Sequence, residues 1–154
     1  MNVEIGFLAD HSDLVSVIAS WYYQEWGQIE PVFTPQCFEL ELCERLNRDR
    51  LPLTLVAFND SIPVATASLK LKEMETHPEI QHWLGGVYTL PEYRRRGIGS
   101  QIVKHATTVA RHLGVSVLYL YTRNSESLYA REGWVTIERP IYHERKVAIM
   151  KIEL

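Results

Sequence analysis

The 154-residue sequence contains few cysteines, no long apolar segment and no excess of positive charge. Its formal net charge is −3, so a basic surface of the kind that binds nucleic acid is not expected. The longest apolar runs, such as residues 115–121, have the length of a strand and fall far short of the ~20 residues that span a bilayer. We therefore predict neither a nucleic-acid partner nor a membrane contact.

The two cysteines, Cys37 and Cys43, lie within one predicted helix and would face different sides of it. They are predicted to be reduced, partly buried thiols and neither a disulfide nor a metal pair. The first residues include Glu4 and Asp10, and no basic stretch leads into an apolar one, so a secretory signal is not predicted. These features predict a cytoplasmic protein without a bound metal.

The composition, 46% hydrophobic and 23% charged residues, is ordinary for a globular protein. No repeat or low-complexity segment is visible, and a chain of this length fits one domain with a real core. We predict a single domain over residues 1–154, as a monomer or a homodimer.

A turn rich in arginine and glycine is the most informative part of the sequence. It follows a strand-like run, residues 84–90, and opens a helix-like run, residues 98–113. Its residues are Arg94-Arg95-Arg96-Gly97-Ile98-Gly99-Ser100. The first amides of a helix lack partners within the helix and favour an anion, and glycine lets phosphate oxygens approach them. The turn therefore predicts a site for a phosphorylated ligand.

A second signature lies about thirty residues later in the chain. Residues 117–122 are β-branched and aromatic, which is typical of a buried strand. Residues 125–132 read as a two-turn helix that contains Tyr129, and Gly133 and Trp134 follow it. The pattern predicts a strand, a short helix and a further strand.

Together these two signatures resemble those of the GNAT superfamily of N-acetyltransferases. Arg94, Gly97 and Gly99 match the family's Q/R-x-x-G-x-G/A motif, and Tyr129 with Gly133-Trp134 matches its second unit. The resemblance implies an α/β (α+β) fold in one domain, with a mixed, mostly antiparallel sheet of six to seven strands and about four helices. The implied order, β-αα-β-β-β-α-β-α-β-β, fits the periodicity along nearly the whole chain. Asp10 is predicted to cap the first helix, and Thr34 is predicted to cap a second helix that runs through Arg48. Residues 134–141 and 146–152 are predicted to form a closing hairpin.

The resemblance also implies an enzyme that transfers the acetyl group of acetyl-CoA to an amine by direct attack. Tyr129 would protonate the departing CoA thiolate. The positions implied to bind the cofactor lie on the strand before the turn, in the turn itself and after the next strand. They are Val87, Tyr88, Thr89, Arg94, Arg95, Arg96, Gly97, Ile98, Gly99, Ser100 and Asn124. The family's asparagine falls on Thr122 here, so Thr122 or Asn124 would contact CoA.

The general base is open at this point. Relatives often carry a glutamate on the strand before the turn, whereas this chain has Gln81-His82-Trp83-Leu84 there. His82 has a suitable ordinary pKa and is the candidate base. A water chain or Glu79 are the alternatives. The pair Gly85-Gly86 indicates a bulge or a close approach to the backbone of this strand.

The acceptor is predicted to be a small amine, an aminoglycoside-like compound or a peptide or protein amino group. The first two helices, their loop and the final hairpin would form its site. Aromatic and acidic residues of the helices and the loop would receive it through cation–π and charge pairing. They are Trp21, Tyr22, Tyr23, Glu25, Trp26 and Glu30. A domain that binds acetyl-CoA as a sensor, or a transferase for another acyl-CoA, are the alternative functions.

Overall fold

The computed structural model describes residues 2–27 and 33–154. Four helices lie within them: α1 (Val15–Trp26), α2 (Pro35–Cys43), α3 (Ile98–His112) and α4 (Glu126–Arg131). The first five strands are β1 (Val3–Phe7), β2 (Leu53–Asn59), β3 (Ile62–Lys70), β4 (Trp83–Thr89) and β5 (Val117–Thr122). The remaining strands are β6 (Val135–Glu138), β7 (Ile141–Tyr142), β8 (Arg145–Lys146) and β9 (Ala148–Glu153).

Seven strands form one mixed sheet in the order β1-β2-β3-β4-β5-β9-β6. All neighbours are antiparallel except β4 and β5, which are parallel because α3 crosses between them. This parallel pair is joined at one register position only, Trp83 opposite Tyr119. The mixed, mostly antiparallel sheet with four helices confirms the predicted architecture.

Strand β4 carries a bulge a few residues beyond its junction with β5. Ser68 of β3 lies opposite Gly85 and Thr66 lies opposite Tyr88, so two residues of β4 face one residue of β3. Gly86 has a φ of 58°, which glycine adopts without strain. The bulge that the glycine pair predicts is therefore present, and it bends β4 next to the gap between the two parallel strands.

Both faces of the sheet are covered by apolar side chains. On one face, α3 turns a row spaced by four residues toward the strands: Ile98, Ile102, Ala106 and Ala110. On the other face, Ile18 of α1 and Leu42 of α2 pack near Val56 of β2. Burying one such aliphatic side chain contributes ~1.5–3 kcal/mol, so the two layers hold the sheet and its gap in place.

The boundaries of the first two helices differ from the prediction. Asp10 does not cap α1, because short 3-10 turns precede Val15 and the Asp10 carboxylate pairs with Arg48 at 3.3 Å instead. Thr34 caps α2 as predicted, with its hydroxyl accepting from the Cys37 amide. However, α2 ends at Cys43, because the Arg45 amide bonds back to Leu42 and tightens the last turn. Both cysteines are free and exposed, which corrects the prediction of partial burial.

The chain closes with β6 and β9, which pair as predicted. The predicted hairpin is interrupted, since β7 and β8 form a small hairpin of their own between these strands. Its turn brings Tyr142 and His143 toward β5, and the Tyr142 ring lies 5.4 Å from that of Tyr121. No helix in residues 2–27 and 33–154 has the length and apolarity needed to cross a membrane.

The core assignment predicts different costs for two isoleucine truncations. Ile102 is fully buried under the sheet, whereas Ile141 is 71% exposed. We expect Ile102→Ala to lower the free energy of unfolding by ~2–5 kcal/mol, since it leaves a cavity. Ile141→Ala should change it by less than ~0.5 kcal/mol. Urea unfolding followed by circular dichroism measures both; equal losses would contradict this core assignment.

Candidate active site

A cleft of about 1010 Å³ opens where β4 and β5 separate. Residues of both strands line it, including Gly85, Gly86 and Val87 from β4 and Tyr121 and Thr122 from β5. The strands share one register position at Trp83, so the cleft occupies the place that further pairing would fill. Backbone groups of β4 consequently face the cleft and are open to a ligand.

The arginine–glycine turn joins β4, one of the strands that line this cleft, to α3, and residues 94–100 are not part of the cleft lining. Gly97 is the N-cap of α3 with a φ of 81°, so its backbone angle favours glycine although a side chain would meet no atom within 4 Å. The Gln101 amide bonds to the Gly97 carbonyl at 3.0 Å, so the amides of Ile98, Gly99 and Ser100 precede this helical bond. A methyl group on Gly99 would make only an ordinary contact with Thr89. The first turn of α3 thus has open space and unpaired donors, which is a cradle suited to phosphate.

The three arginines are exposed around this cradle. Arg94 donates from Nε to the Thr89 carbonyl at 2.9 Å, and its guanidinium lies 5.4 Å from the centre of the Tyr88 ring. Arg96 lies over the Tyr93 ring at the same distance. Arg94 therefore ties the turn to the end of β4, and all three side chains keep N–H groups available for an anion.

Tyr129 lies on α4 and lines the cleft. Its ring packs against that of Trp134 with 6.0 Å between centres, so the predicted tyrosine–tryptophan spacing serves packing as well. Burial, and secondarily the charge of Glu132, raises the pKa of Tyr129 to about 12. The phenol therefore keeps its proton at neutral pH and can act as a donor.

Glu132 also connects this helix to the cradle. It accepts a hydrogen bond from the Ser100 hydroxyl at the first turn of α3. Ser100 is therefore held by the protein itself, and the end of α4 is fixed against the first turn of α3.

Thr122 and Asn124, the alternatives for a CoA contact, both line the cleft. The Thr122 hydroxyl accepts from the Ser125 amide at 3.0 Å and stabilises the turn after β5. Asn124 is exposed at the rim. The side-chain amide of Asn124 is consequently better placed to reach a ligand.

His82 is not among the residues that line the cleft. It precedes β4, and its carbonyl accepts from the Tyr119 amide at 3.0 Å, which secures the single junction of the two strands. Glu79 is exposed and also lies outside the cleft lining. Glu73, an acid that the sequence did not single out, lines the cleft instead. The Glu73 carboxylate lies over Gly85, in the space that a side chain at that glycine would take.

The wall formed by α1 and α2 contains aromatic and acidic residues, as predicted, including Tyr22, Glu25, Trp26 and Glu41. Trp21 is buried and stacks on Tyr88, and Glu30 lies outside the described residues. The final hairpin, which was predicted to take part in the acceptor site, lines the opposite wall, whereas Glu75 of that wall was not predicted. There Glu75 accepts from the Tyr142 hydroxyl at 2.5 Å and pairs with His143 at 3.2 Å. The Tyr142 hydrogen bond holds the pKa of Glu75 below its ordinary value.

Comparison with known proteins decides the family. The model of the acetyltransferase (GNAT) family matches residues 16–134. The chain belongs to the GNAT family. It is an acetyl-CoA-dependent N-acetyltransferase, and both signature segments and the strands β4 and β5 fall within the matched residues.

Three relatives illustrate the range of similarity. An aminoglycoside N(6')-acetyltransferase type 1 from Acinetobacter genomosp. 13 is 27% identical, covering 80% of this chain and 91% of that enzyme. A GNAT acetyltransferase structure from Streptococcus pneumoniae is 17% identical with a TM-score of 0.70 over 99% of both chains. A GNAT structure from Elizabethkingia anophelis with acetyl-CoA bound is 16% identical, with a TM-score of 0.53 over 67% of this chain and 76% of that one. The two structures support the fold.

The cradle predicts the effect of a carboxylate at Gly99. Gly99→Glu should leave α3 folded, because an acidic residue near a helix N-terminus is favourable. The carboxylate would occupy the open space and repel a phosphate, so CoA should bind at least ~10-fold more weakly, equivalent to ~1.4 kcal/mol. Titration calorimetry with CoA measures the affinity. Thr108→Glu, an equal charge at an exposed position of the same helix, is the control, and equal affinities in both variants would refute the cradle.

Proposed function

We propose that the protein transfers the acetyl group of acetyl-CoA to a primary amine of a small polycationic compound of the aminoglycoside type. The observation that carries this proposal is the cleft itself. Tyr129 and the acidic and aromatic walls line it, and the phosphate cradle follows the end of β4, one of its two strands. The similarity to an aminoglycoside N-acetyltransferase supports the choice of acceptor.

In this proposal the cradle binds the pyrophosphate of CoA. The amides of Ile98, Gly99 and Ser100 and the N–H groups of Arg94, Arg95 and Arg96 supply its donors. The backbone of Val87, Tyr88 and Thr89 at the end of β4 binds the pantetheine arm, and of these residues Val87 lines the cleft. Asn124 contacts the arm from the rim. Bound acetyl-CoA supplies an activated acetyl thioester.

Tyr129 is proposed to donate a proton to the thiolate that leaves. Its position in the cleft and the pKa of about 12 support this role, since the phenol stays protonated until a strong base forms beside it. Tyr129 cannot serve as the base at neutral pH for the same reason. Another group must therefore take the proton of the amine.

The two walls are proposed to hold the cationic acceptor by pairing its charges with individual carboxylates and by placing them over aromatic rings. Glu41 and Glu73 each pair with a cation of the chain, Arg45 at 3.4 Å and Lys70 at 3.0 Å. Glu25 is exposed at the rim, beside Trp26. Arg123 and Arg145 also line the cleft, so its charge is mixed and local pairing, with cation–π contact at Trp26, must provide the selectivity.

The substrate class is tested by thiol release from acetyl-CoA with a panel of acceptors: kanamycin, spermidine, an amino-terminal peptide and a lysine peptide. We expect turnover with kanamycin or spermidine and weak turnover with both peptides. Preference for a peptide would overturn the acceptor assignment. CoA binding without turnover on any amine would favour the sensor function, and propionyl- and longer acyl-CoA donors test the donor choice.

Tyr129→Phe tests the proton donor. The variant keeps the ring and its contact with Trp134 and removes only the hydroxyl. We expect kcat to fall by ~10²-fold or more while CoA affinity stays near that of the parent. Tyr119→Phe makes the same chemical change on β5 outside the cleft lining and is the matched control. An unchanged kcat in Tyr129→Phe would exclude the proton-donor role and leave Tyr129 with its packing role alone.

A cytoplasmic location and a monomeric or homodimeric state are part of the same proposal. Size-exclusion chromatography with light scattering measures the oligomeric state.

A further inference from the structure

Glu73 is the acid closest to the backbone of β4. It lies just after β3 and pairs with Lys70 through both carboxylate oxygens, at 3.0 and 3.1 Å. The side chains of Lys70 and Glu73 are only 14% and 16% exposed, so this ion pair is largely shielded from bulk water. Glu73 is therefore held in one place and is not a mobile surface acid.

That place is the one left open by Gly85. A Cβ atom on Gly85 would collide with Oε2 of Glu73 and would press on Cε of Lys70 at 3.1 Å. Because the colliding groups are packed together, a larger residue at position 85 could not coexist with this arrangement. The Glu73 carboxylate thus occupies the position of a β4 side chain, although Glu73 belongs to the loop between β3 and β4.

Groups from several other elements face the same part of the cleft. Tyr22 of α1 donates to the Gly86 carbonyl at 2.8 Å, immediately beside Gly85. Tyr121 of β5 is close enough that Glu73, after burial, helps to raise the pKa of that phenol to about 12. Glu75 of the same loop, Arg45 after α2, Lys70 of β3 and Arg123 after β5 are the charged groups around them. Both phenols are protonated at neutral pH, which leaves the carboxylates as proton acceptors. Glu75 is engaged by Tyr142 and His143, whereas Glu73 lies against the backbone of β4.

We propose that Glu73 is the general base of this enzyme and that Lys70 is its positioning residue. This inference rests on the proposed function. The strand acid common in relatives is absent from β4, and Glu73 reaches the equivalent region through the opening at Gly85.

Two protons leave the acceptor amine in this assignment. A protonated acceptor amine gives one proton to the Glu73 carboxylate, directly or through one water, and Glu73 releases it to solvent. The neutral nitrogen then forms the N–C bond as the C–S bond breaks. The nitrogen then loses its second proton, which restores the Tyr129 phenol after Tyr129 has protonated the thiolate. Of the two protons that leave the amine, one therefore ends in solvent and the other is matched by the proton on the CoA thiol.

The test uses the full chain, acetyl-CoA and whichever panel amine the parent turns over best. Glu73→Gln keeps the size of the side chain and a hydrogen-bond acceptor for Lys70 while removing the base. We expect kcat at neutral pH to fall by ~10²-fold or more, with CoA affinity unchanged. The loss should shrink as the pH approaches the pKa of the acceptor amine, because solvent then deprotonates the amine without help from the protein.

Two companion variants separate a base from a structural role. Glu79→Gln makes the same change at an exposed position of the same loop and should keep the parent kcat and pH profile. Lys70→Met removes the partner of Glu73. If the ion pair were only structural, Lys70→Met and Glu73→Gln would lose the same activity at every pH, which would overturn the proposal.

Two further outcomes are decisive. A Glu73→Gln variant with the kcat and pH profile of the parent would exclude this base. Loss of the acidic limb of the profile in His82→Asn but not in Glu73→Gln would assign the base to His82 and overturn the proposal. If the parent itself acetylates no amine, the proposed function fails, and this result is distinct from failure of the base because it is seen before any substitution.

Discussion

The single junction between the parallel strands β4 and β5 is the constraint on which the rest of the site depends. Parallel neighbours normally share evenly spaced hydrogen bonds along their length, whereas these two strands share one register position at Trp83 and Tyr119. The bulge at Gly86, with the Tyr22 hydroxyl on its carbonyl, bends β4 where pairing would otherwise continue. The separation creates the cleft in which the proposed function places acetyl-CoA and its acceptor. Packing by α3 on one face and by α1 and α2 on the other keeps this gap from closing.

Local chemistry made much of this arrangement predictable. The turn at Gly97 and the short helix that carries Tyr129 both follow from residues within a few positions of each other, through backbone angles and helix ends. The glycine pair in β4 predicted a bulge or a close approach, and the structure contains both. The element order follows from hydrophobic periodicity for a similar reason, because a helix or strand must turn its apolar side to the core wherever it lies.

The features that escaped prediction are contacts between residues distant in sequence. Nothing in the local sequence indicates that the Asp10 carboxylate pairs with Arg48, so the start of α1 was misplaced. The wall made of Glu75, Tyr142 and His143 joins a loop after β3 to a hairpin nearly seventy residues later. Glu73 was missed for the same reason, since its sequence neighbours are polar loop residues. The available signal was indirect, because Gly85 indicated that some group approaches β4 but did not identify that group.

The two proton-handling groups of the proposed mechanism come from opposite sides of the gap, and their surroundings differ in the way their roles require. Tyr129 is on α4, beyond β5, where burial and the neighbouring Glu132 both disfavour the phenolate, so the side chain holds its proton until a thiolate forms beside it. Glu73 approaches from the β3 side as an acid paired with Lys70, over a glycine that gives it access to the cleft. Because the two groups approach from opposite sides of the gap, the amine and the thioester can lie between them in the proposed mechanism, so each proton moves to or from the reacting atoms.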